Sequence, residues 1–125
     1  MLIDNKNGTV TDTDTGLMWQ QATAPGTYTW DGAISYCVNL TLGGYSDWRL
    51  PTIQELISIV DYKKYHPAIN ADYFHDTKSS CYWTSAPDAR STGHARFVSF
   101  YYGDVNYGNK SSSYYVRAVR GGQCL

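Results

Sequence analysis

The sequence predicts an α+β domain, and three observations carry that prediction. Two apolar runs between residues 29 and 60 repeat with helical spacing, shorter segments on either side of them alternate or carry strand formers, and Gly, Asn and Asp punctuate the joins. At 125 residues the chain has the length of one domain, enough to bury a core without metal or disulfide staples. Residues 1–125 are therefore read as a single domain.

Taken in order, Thr9 to Asp12 and Leu17 to Gln20 flank Thr13-Asp14-Thr15-Gly16, which predicts a short hairpin with the glycine at positive φ. Asp12 and Asp14 alternate as at the start of a calcium loop. No Glu follows at the distance of a bidentate ligand, however, and Gly16 stands one place early, so a turn is expected. A first helix is capped by Thr29 and puts Trp30, Ala33, Ile34, Cys37 and Val38 on one face; it runs to Leu42, with Gly43-Gly44 as a left-handed stop. A second opens at Thr52, which makes a capping box with Glu55, and buries Ile53, Leu56, Ile57 and Val60 after an entry fixed by Pro51.

Between Tyr62 and Ser80 periodicity is lost, and His66-Pro67, Asn70, Asp72 and Asp76 mark an irregular excursion. Cys81 to Ser85, Ala95 to Tyr102, Val105 to Tyr107 and Tyr114 to Val119 then read as an antiparallel sheet, with Gly103-Asp104 as a tight turn. The expected core is Trp19, Trp30, Ile34, Cys37, Trp48, Leu50, Leu56, Ile57, Val60, Trp83, Phe97 and Val116.

Charge narrows the function. Ten Lys and Arg stand against eleven acids and are scattered along the chain, so no electrostatic footprint for nucleic acid or an anionic membrane is expected. No apolar run approaches the roughly 18 residues of a membrane span, and Met1 to Val10 lack the basic start and apolar stretch of a secretion signal. Met1 is compatible with the start of a fragment. Low Lys and Glu with high Tyr, Thr, Ser and Gly favour an extracellular setting. Cys37, Cys81 and Cys124 include no Cys-x-x-Cys pair, so a zinc site is not expected. No cofactor is predicted, and a structural calcium ion is left open.

The stretch from Ser79 to Tyr115 carries the functional signal. Tyr82, Trp83, Tyr101, Tyr102, Tyr107, Tyr114 and Tyr115 are interleaved with Ser, Asn, Asp and Gly. That is the composition of recognition loops, where tyrosine supplies contact area at low entropic cost and the small polar residues adapt their hydrogen bonds. Tyrosine is also a strand former, so a purely structural role is the competing reading. The candidate ligand-binding residues are Tyr101, Tyr102, Asp104, Asn106, Tyr107, Asn109 and Lys110: aromatic faces stack on sugar rings while the amides and carboxylate bond hydroxyls. No motif surrounds His66, His75 or His94, and no catalytic residue is assigned.

One connection is specific enough to name a relative. Gly43-Gly44-Tyr45-Ser46-Asp47-Trp48-Arg49-Leu50-Pro51-Thr52, with Gln54-Glu55-Leu56, Gly8-Thr9-Val10-Thr11-Asp12, Thr15-Gly16-Leu17-Met18-Trp19-Gln20, Tyr82-Trp83-Thr84-Ser85 and Tyr114-Tyr115-Val116-Arg117-Ala118-Val119-Arg120-Gly121, resembles the Lcl C-terminal domain family over nearly the whole chain. The resemblance implies a C-type-lectin-like fold, two helices with a twisted antiparallel sheet and long irregular loops. It also implies a non-enzymatic adhesion role at the end of a secreted or surface bacterial protein, with a glycan or protein partner. The adhesin that names the family binds sulfated glycosaminoglycans as a trimer, so a homotrimer is an inherited expectation.

Within the motif, Trp48 and Leu50 read as buried anchors and Arg49 as a hydrogen-bonding hub. Ala118 stands where the family commonly carries cysteine, so the resemblance leaves Cys124 as the partner of Cys37, a bridge that would stabilise by about 2–4 kcal/mol. Cys81 would then be free, and a lone thiol is more often a small buried hydrophobe than a nucleophile. Sulfated ligands call for a concentrated basic patch, whereas Lys63, Lys64, Lys78, Arg90, Arg96 and Lys110 are dispersed in sequence.

The Arg49-Leu50-Pro51-Thr52 motif with Glu55 also resembles the formylglycine-generating enzyme superfamily. Those oxidases use two closely spaced cysteines near the last strands, and none are present here. An alternative within the same superfamily is the variable display domain of a diversity-generating retroelement, whose composition Asp88 to His94 and Ser99 to Tyr114 share; its ligand would be a protein receptor.

Overall fold

A computed structural model of the chain describes residues 1–74 and 76–121, and its architecture is α+β with two antiparallel sheets. The first sheet joins the two ends of the described chain. Strands β1 (Leu2–Asp4), β2 (Thr9–Asp12) and β3 (Leu17–Gln20) form a meander. In the turn between β2 and β3, Gly16 has φ +74° and the Asp14 amide donates to the Asp12 carboxylate at 3.0 Å, so alternate aspartates here serve the turn. Strand β1 was not anticipated.

Helix α1 (Trp30–Asn39) begins where Thr29 accepts from the Gly32 amide, as the sequence predicts, but ends before Leu42. Gly43 and Gly44 do not terminate it. Both have positive φ, +62° and +84°, and Leu42 and Tyr45 exchange two backbone hydrogen bonds of 3.0 Å around them, the geometry of a tight hairpin turn that only φ-positive residues close easily. Val38, expected on the buried face, is 62% exposed because α1 packs through Ala33 and Cys37. Helix α2 (Ile53–Ile57) carries the predicted capping box, with Thr52 and Glu55 each accepting from the other's backbone amide.

The second sheet holds β4 (Cys81–Pro87), β5 (His94–Ser99) and β6 (Val105–Asn109) in that order. Sequence reading put residues 114–119 in the same sheet. Instead Tyr114 and Tyr115 make only isolated bridges, to Tyr28 and Tyr82, and β7 (Val119–Gly121) crosses to pair with β3. The predicted single sheet is therefore two.

Alternation along β4 and β5 explains how the layers bind together. Cross-strand partners share a face, and Tyr82 opposes Val98 while Trp83 opposes Phe97. Tyr82 and Val98 enter one core with Leu56, Trp19, Phe74 and Phe100; Trp83 and Phe97 enter a second with Ala33, Cys37, Trp48 and Val116. The β4–β5–β6 sheet is thus held between the two cores, α2 on one face and α1 on the other. Of the expected core residues, Trp30, Ile34, Ile57 and Val60 are half-buried at its margin and the others are buried.

Two arginines fasten the frame. Arg49 forks onto Glu55 at 2.6 and 2.7 Å and donates to the Gly121 carbonyl at 2.9 Å, while its backbone bridges Val119, so the loop, α2 and β7 meet at one side chain. Arg117 is wholly buried, a position the strand reading did not anticipate. Its guanidinium donates to the carbonyls of Gln20 (2.8 Å) and Gln21 and to the hydroxyls of Thr23 (3.2 Å) and Thr77 (2.8 Å), lying 4.8 Å from the Phe74 ring centroid.

The proposed Cys37–Cys124 bridge and His75 lie outside the described residues. Burial pushes the Cys37 thiol up to about 12, and it raises the half-buried Cys81 thiol as well.

Candidate functional site

The structure divides the Tyr-rich stretch into three parts. Tyr82 and Trp83, read from sequence as contact residues, are wholly buried: consecutive residues of a strand point to opposite faces, and here both faces are core. Tyr114 and Tyr115 are half-buried against that core, Tyr114 at 5.0 Å from the Phe97 ring centroid and Tyr115 at 5.7 Å from Tyr82. Exposed aromatic surface remains at Tyr101 and Tyr102 on the β5–β6 loop and at Tyr107 on β6.

Tyr101 and Tyr102 do not act alone. The segment after α2 folds alongside them: the amides of His66 and Ala68 donate to the carbonyls of Tyr101 and Phe100 at 3.0 and 2.6 Å, and Val60 bridges Ile69. Ala68, Ile69 and Phe100 are buried beneath this pairing and anchor both loops in the core. Above it, the His66 and Tyr101 ring centroids lie 3.6 Å apart, Tyr101 and Tyr102 4.6 Å apart edge to face, Tyr65 and His66 4.9 Å, and Tyr65 and Tyr102 6.2 Å. Tyr62, Tyr65 and Tyr102 are 68%, 65% and 62% exposed. Partial desolvation first, and the neighbouring Tyr102 second, raise the Tyr101 phenol above its ordinary value, so its hydroxyl stays a protonated donor.

Gly103 sets the height of this platform. It has φ +89°, its amide donates to the Ser99 carbonyl at 2.7 Å, and a Cβ there would stand 2.5 Å from Val60 Cγ1 and 3.1 Å from Tyr62 Cε1. The backbone therefore passes close under Tyr62 as only glycine allows. Sequence reasoning missed Tyr62, Tyr65 and His66 because no local pattern marks a loop whose partner lies some forty residues away.

The remaining candidates fall elsewhere on the hairpin. Asp104 is exposed in the turn, its carbonyl accepting from Ser99 at 2.8 Å. Register places Tyr107 opposite Arg96 and Asn109 opposite His94 on the α2 face, whereas Asn106 stands opposite Phe97 on the α1 face. Asn106 is further committed to its own strand, since its Oδ1 accepts the Tyr107 amide at 2.9 Å. Lys110 turns to Trp30, with Nζ 4.6 Å from the ring centroid. The seven residues thus do not form one patch: Tyr101 and Tyr102 share a platform, Tyr107 and Asn109 share the sheet face beyond it, and Asn106 and Lys110 belong to the other side.

A groove of about 220 Å³ lies between the β2–β3 turn and α2, lined by Thr15, Leu17, Gln54, Glu55 and Ser58. Its one carboxylate, Glu55, is already engaged by Arg49 and the Thr52 amide. Burial raises the Glu55 carboxyl, but those partners outweigh it and hold it below the usual range. Among the described residues no three His, Cys, Asp or Glu side chains converge as a metal-binding group.

Residues 8–120 match the family model of the Lcl C-terminal domain, and the chain belongs to that family. No curated protein matches it.

Proposed function

We propose that this Lcl C-terminal domain is a non-catalytic, extracellular adhesion module of the C-type-lectin-like superfamily that recognises a glycan through the Tyr62–Tyr65–His66–Tyr101–Tyr102 platform. The observation that carries the reading is the platform itself: Tyr65, His66, Tyr101 and Tyr102, from two loops, pack on one another with Tyr62 standing beside them over Gly103, all five side chains are exposed, and both loops are fixed from below by buried Ala68, Ile69 and Phe100. A rigid aromatic surface costs little entropy on binding, and tyrosine joins an apolar face to a hydroxyl, the combination that sugar rings with C–H faces and equatorial hydroxyls reward. Lys63 and Lys64 lie in the same loop and are exposed. Membership of the family supports adhesion as the class of activity.

The thiol environments support the absence of oxidase chemistry, because both described cysteines are pushed toward the unreactive protonated form. Binding of the purified domain to a glycan array spanning neutral, carboxylated and sulfated saccharides tests the proposal. Tyr65→Ala and Tyr102→Ala are the informative variants, since both side chains are more than half exposed. Retained binding in the double variant would move the site off the platform; silence of the parent on every saccharide would favour a protein receptor.

A further inference from the structure

Tyr107 has a different neighbourhood from the platform tyrosines. The guanidinium carbons of Arg90 and Arg96 lie 4.9 and 5.7 Å from its ring centroid, and the His94 ring lies 5.2 Å away. Cations resting on the ring make it a poor stacking face for a sugar but a good support for guanidinium groups. Both arginines reach the same carboxylate oxygen: Asp88 Oδ1 is 3.4 Å from Arg90 Nε and 3.7 Å from an Arg96 terminal nitrogen, and it also accepts the Arg90 amide at 3.1 Å. Asp88 is nearly inaccessible, with 2% of its side chain exposed, whereas Arg90 is 67% exposed and Arg96 30%.

The charge count is what points to a ligand. One buried carboxylate faces two guanidiniums, so among the described residues one positive charge remains uncompensated beside His94 and the exposed Asn109 amide. The other arginines and Lys110 do not extend the patch: Arg49 is taken by Glu55, Arg120 by Asp47 at 2.5 and 3.0 Å, Arg117 is buried, and Lys110 faces Trp30. Such a cradle suits one planar monoanion rather than a polyanion, and the fork geometry of arginine suits a carboxylate, which the cluster already holds once at Asp88.

We infer that Arg90, Arg96, His94, Tyr107 and Asn109 form a second binding site, which takes the carboxylate of an acidic sugar residue, with Asn109 bonding a ring hydroxyl. The choice of a sugar over another carboxylate rests on the glycan reading of the platform; the cradle itself does not. The site gathers residues dispersed through the sequence, because the β4–β5 loop brings Asp88 and Arg90 onto the face that Arg96 and Tyr107 share.

Titrating the isotopically labelled domain with N-acetylneuraminic acid and glucuronic acid, and with their methyl esters, tests it through the Nε resonances of Arg90 and Arg96 and the backbone amides of Tyr107 and Asn109. The free acids are expected to shift these signals saturably, the esters to bind about tenfold more weakly, and Arg90→Gln to lose about tenfold in affinity for the acids. Arg90→Gln changes a largely exposed side chain, and Arg96→Gln provides an independent second variant. Equal response to acid and ester, or undiminished binding in both variants, would overturn the site. A Glu-containing tripeptide that binds as tightly as the sugar acids would overturn the sugar assignment. Failure of neutral saccharides to shift the platform resonances would instead count against the platform, a readout separate from this one.

Discussion

Replacing Gly103 by alanine separates the two constraints that hold the aromatic platform. The positive φ of +89° penalises any residue with a Cβ, by about 1–2 kcal/mol. The Cβ would also stand 2.5 Å from Val60 Cγ1, a distance that forces displacement and costs about 1–3 kcal/mol more. Gly103→Ala is therefore expected to destabilise the domain by about 2–5 kcal/mol, lowering the urea midpoint by about 1–2 M at an ordinary slope. Val60→Ala alone should cost about 1 kcal/mol, because the side chain is only half-buried. Combined, the two changes remove the clash but keep the torsional cost, so the double variant should be more stable than additivity predicts by about 1–3 kcal/mol. Equilibrium urea unfolding of the parent, both single variants and the double variant measures this cycle. Additive effects, or a Gly103→Ala protein within about 0.5 kcal/mol of the parent, would refute the claim that the loop is held against Val60.

Two further outcomes follow from the buried and half-buried charges. Arg117→Met should lower unfolding free energy by about 3–5 kcal/mol, since the replacement strands the Gln20 and Gln21 carbonyls and the Thr23 and Thr77 hydroxyls without their donor; denaturant unfolding reads it directly. Glu55 contributes a pH-dependent part of stability: its folded pKa is lowered, so the contribution is present above the unfolded carboxylate pKa and is lost as pH falls through the folded one. Comparing thermal midpoints from neutral pH down to pH ~3 for the parent and Glu55→Gln should show a gap that narrows on acidification.

Legibility in the sequence followed the range of the forces involved. The capping box at Thr52 and Glu55, the turn at Thr13 to Gly16 and the start of α1 are set within four or five residues, and each is where the pattern places it. Gly43-Gly44 carries a signal common to helix stops and hairpin turns, and pairing of Leu42 with Tyr45 decided between them. The division of the strands into two sheets depends on β7 pairing with β3 across most of the chain, and no local residue encodes that.

The candidate site divided along the same line. Tyr101 and Tyr102 were visible by composition, whereas the contribution of Tyr65 and His66 depends on hydrogen bonds from His66 and Ala68 to the β5–β6 loop. Tyrosine spacing could not distinguish Tyr82, whose hydroxyl is 2.7 Å from Thr23 Oγ1 inside the protein, from Tyr102 on its surface. Nor could dispersion in sequence rule out a local charge cluster, as Arg90 and Arg96 around Tyr107 demonstrate.

Saccharide affinity of the parent against the Tyr65→Ala, Tyr102→Ala double variant, with folding verified by an unchanged urea midpoint, tests the central claim most directly. Each lost aromatic contact is worth about 0.5–1.5 kcal/mol, so the account predicts a saccharide bound by the parent and weakened at least about fivefold in the variant. Equal affinity in a folded variant would contradict it.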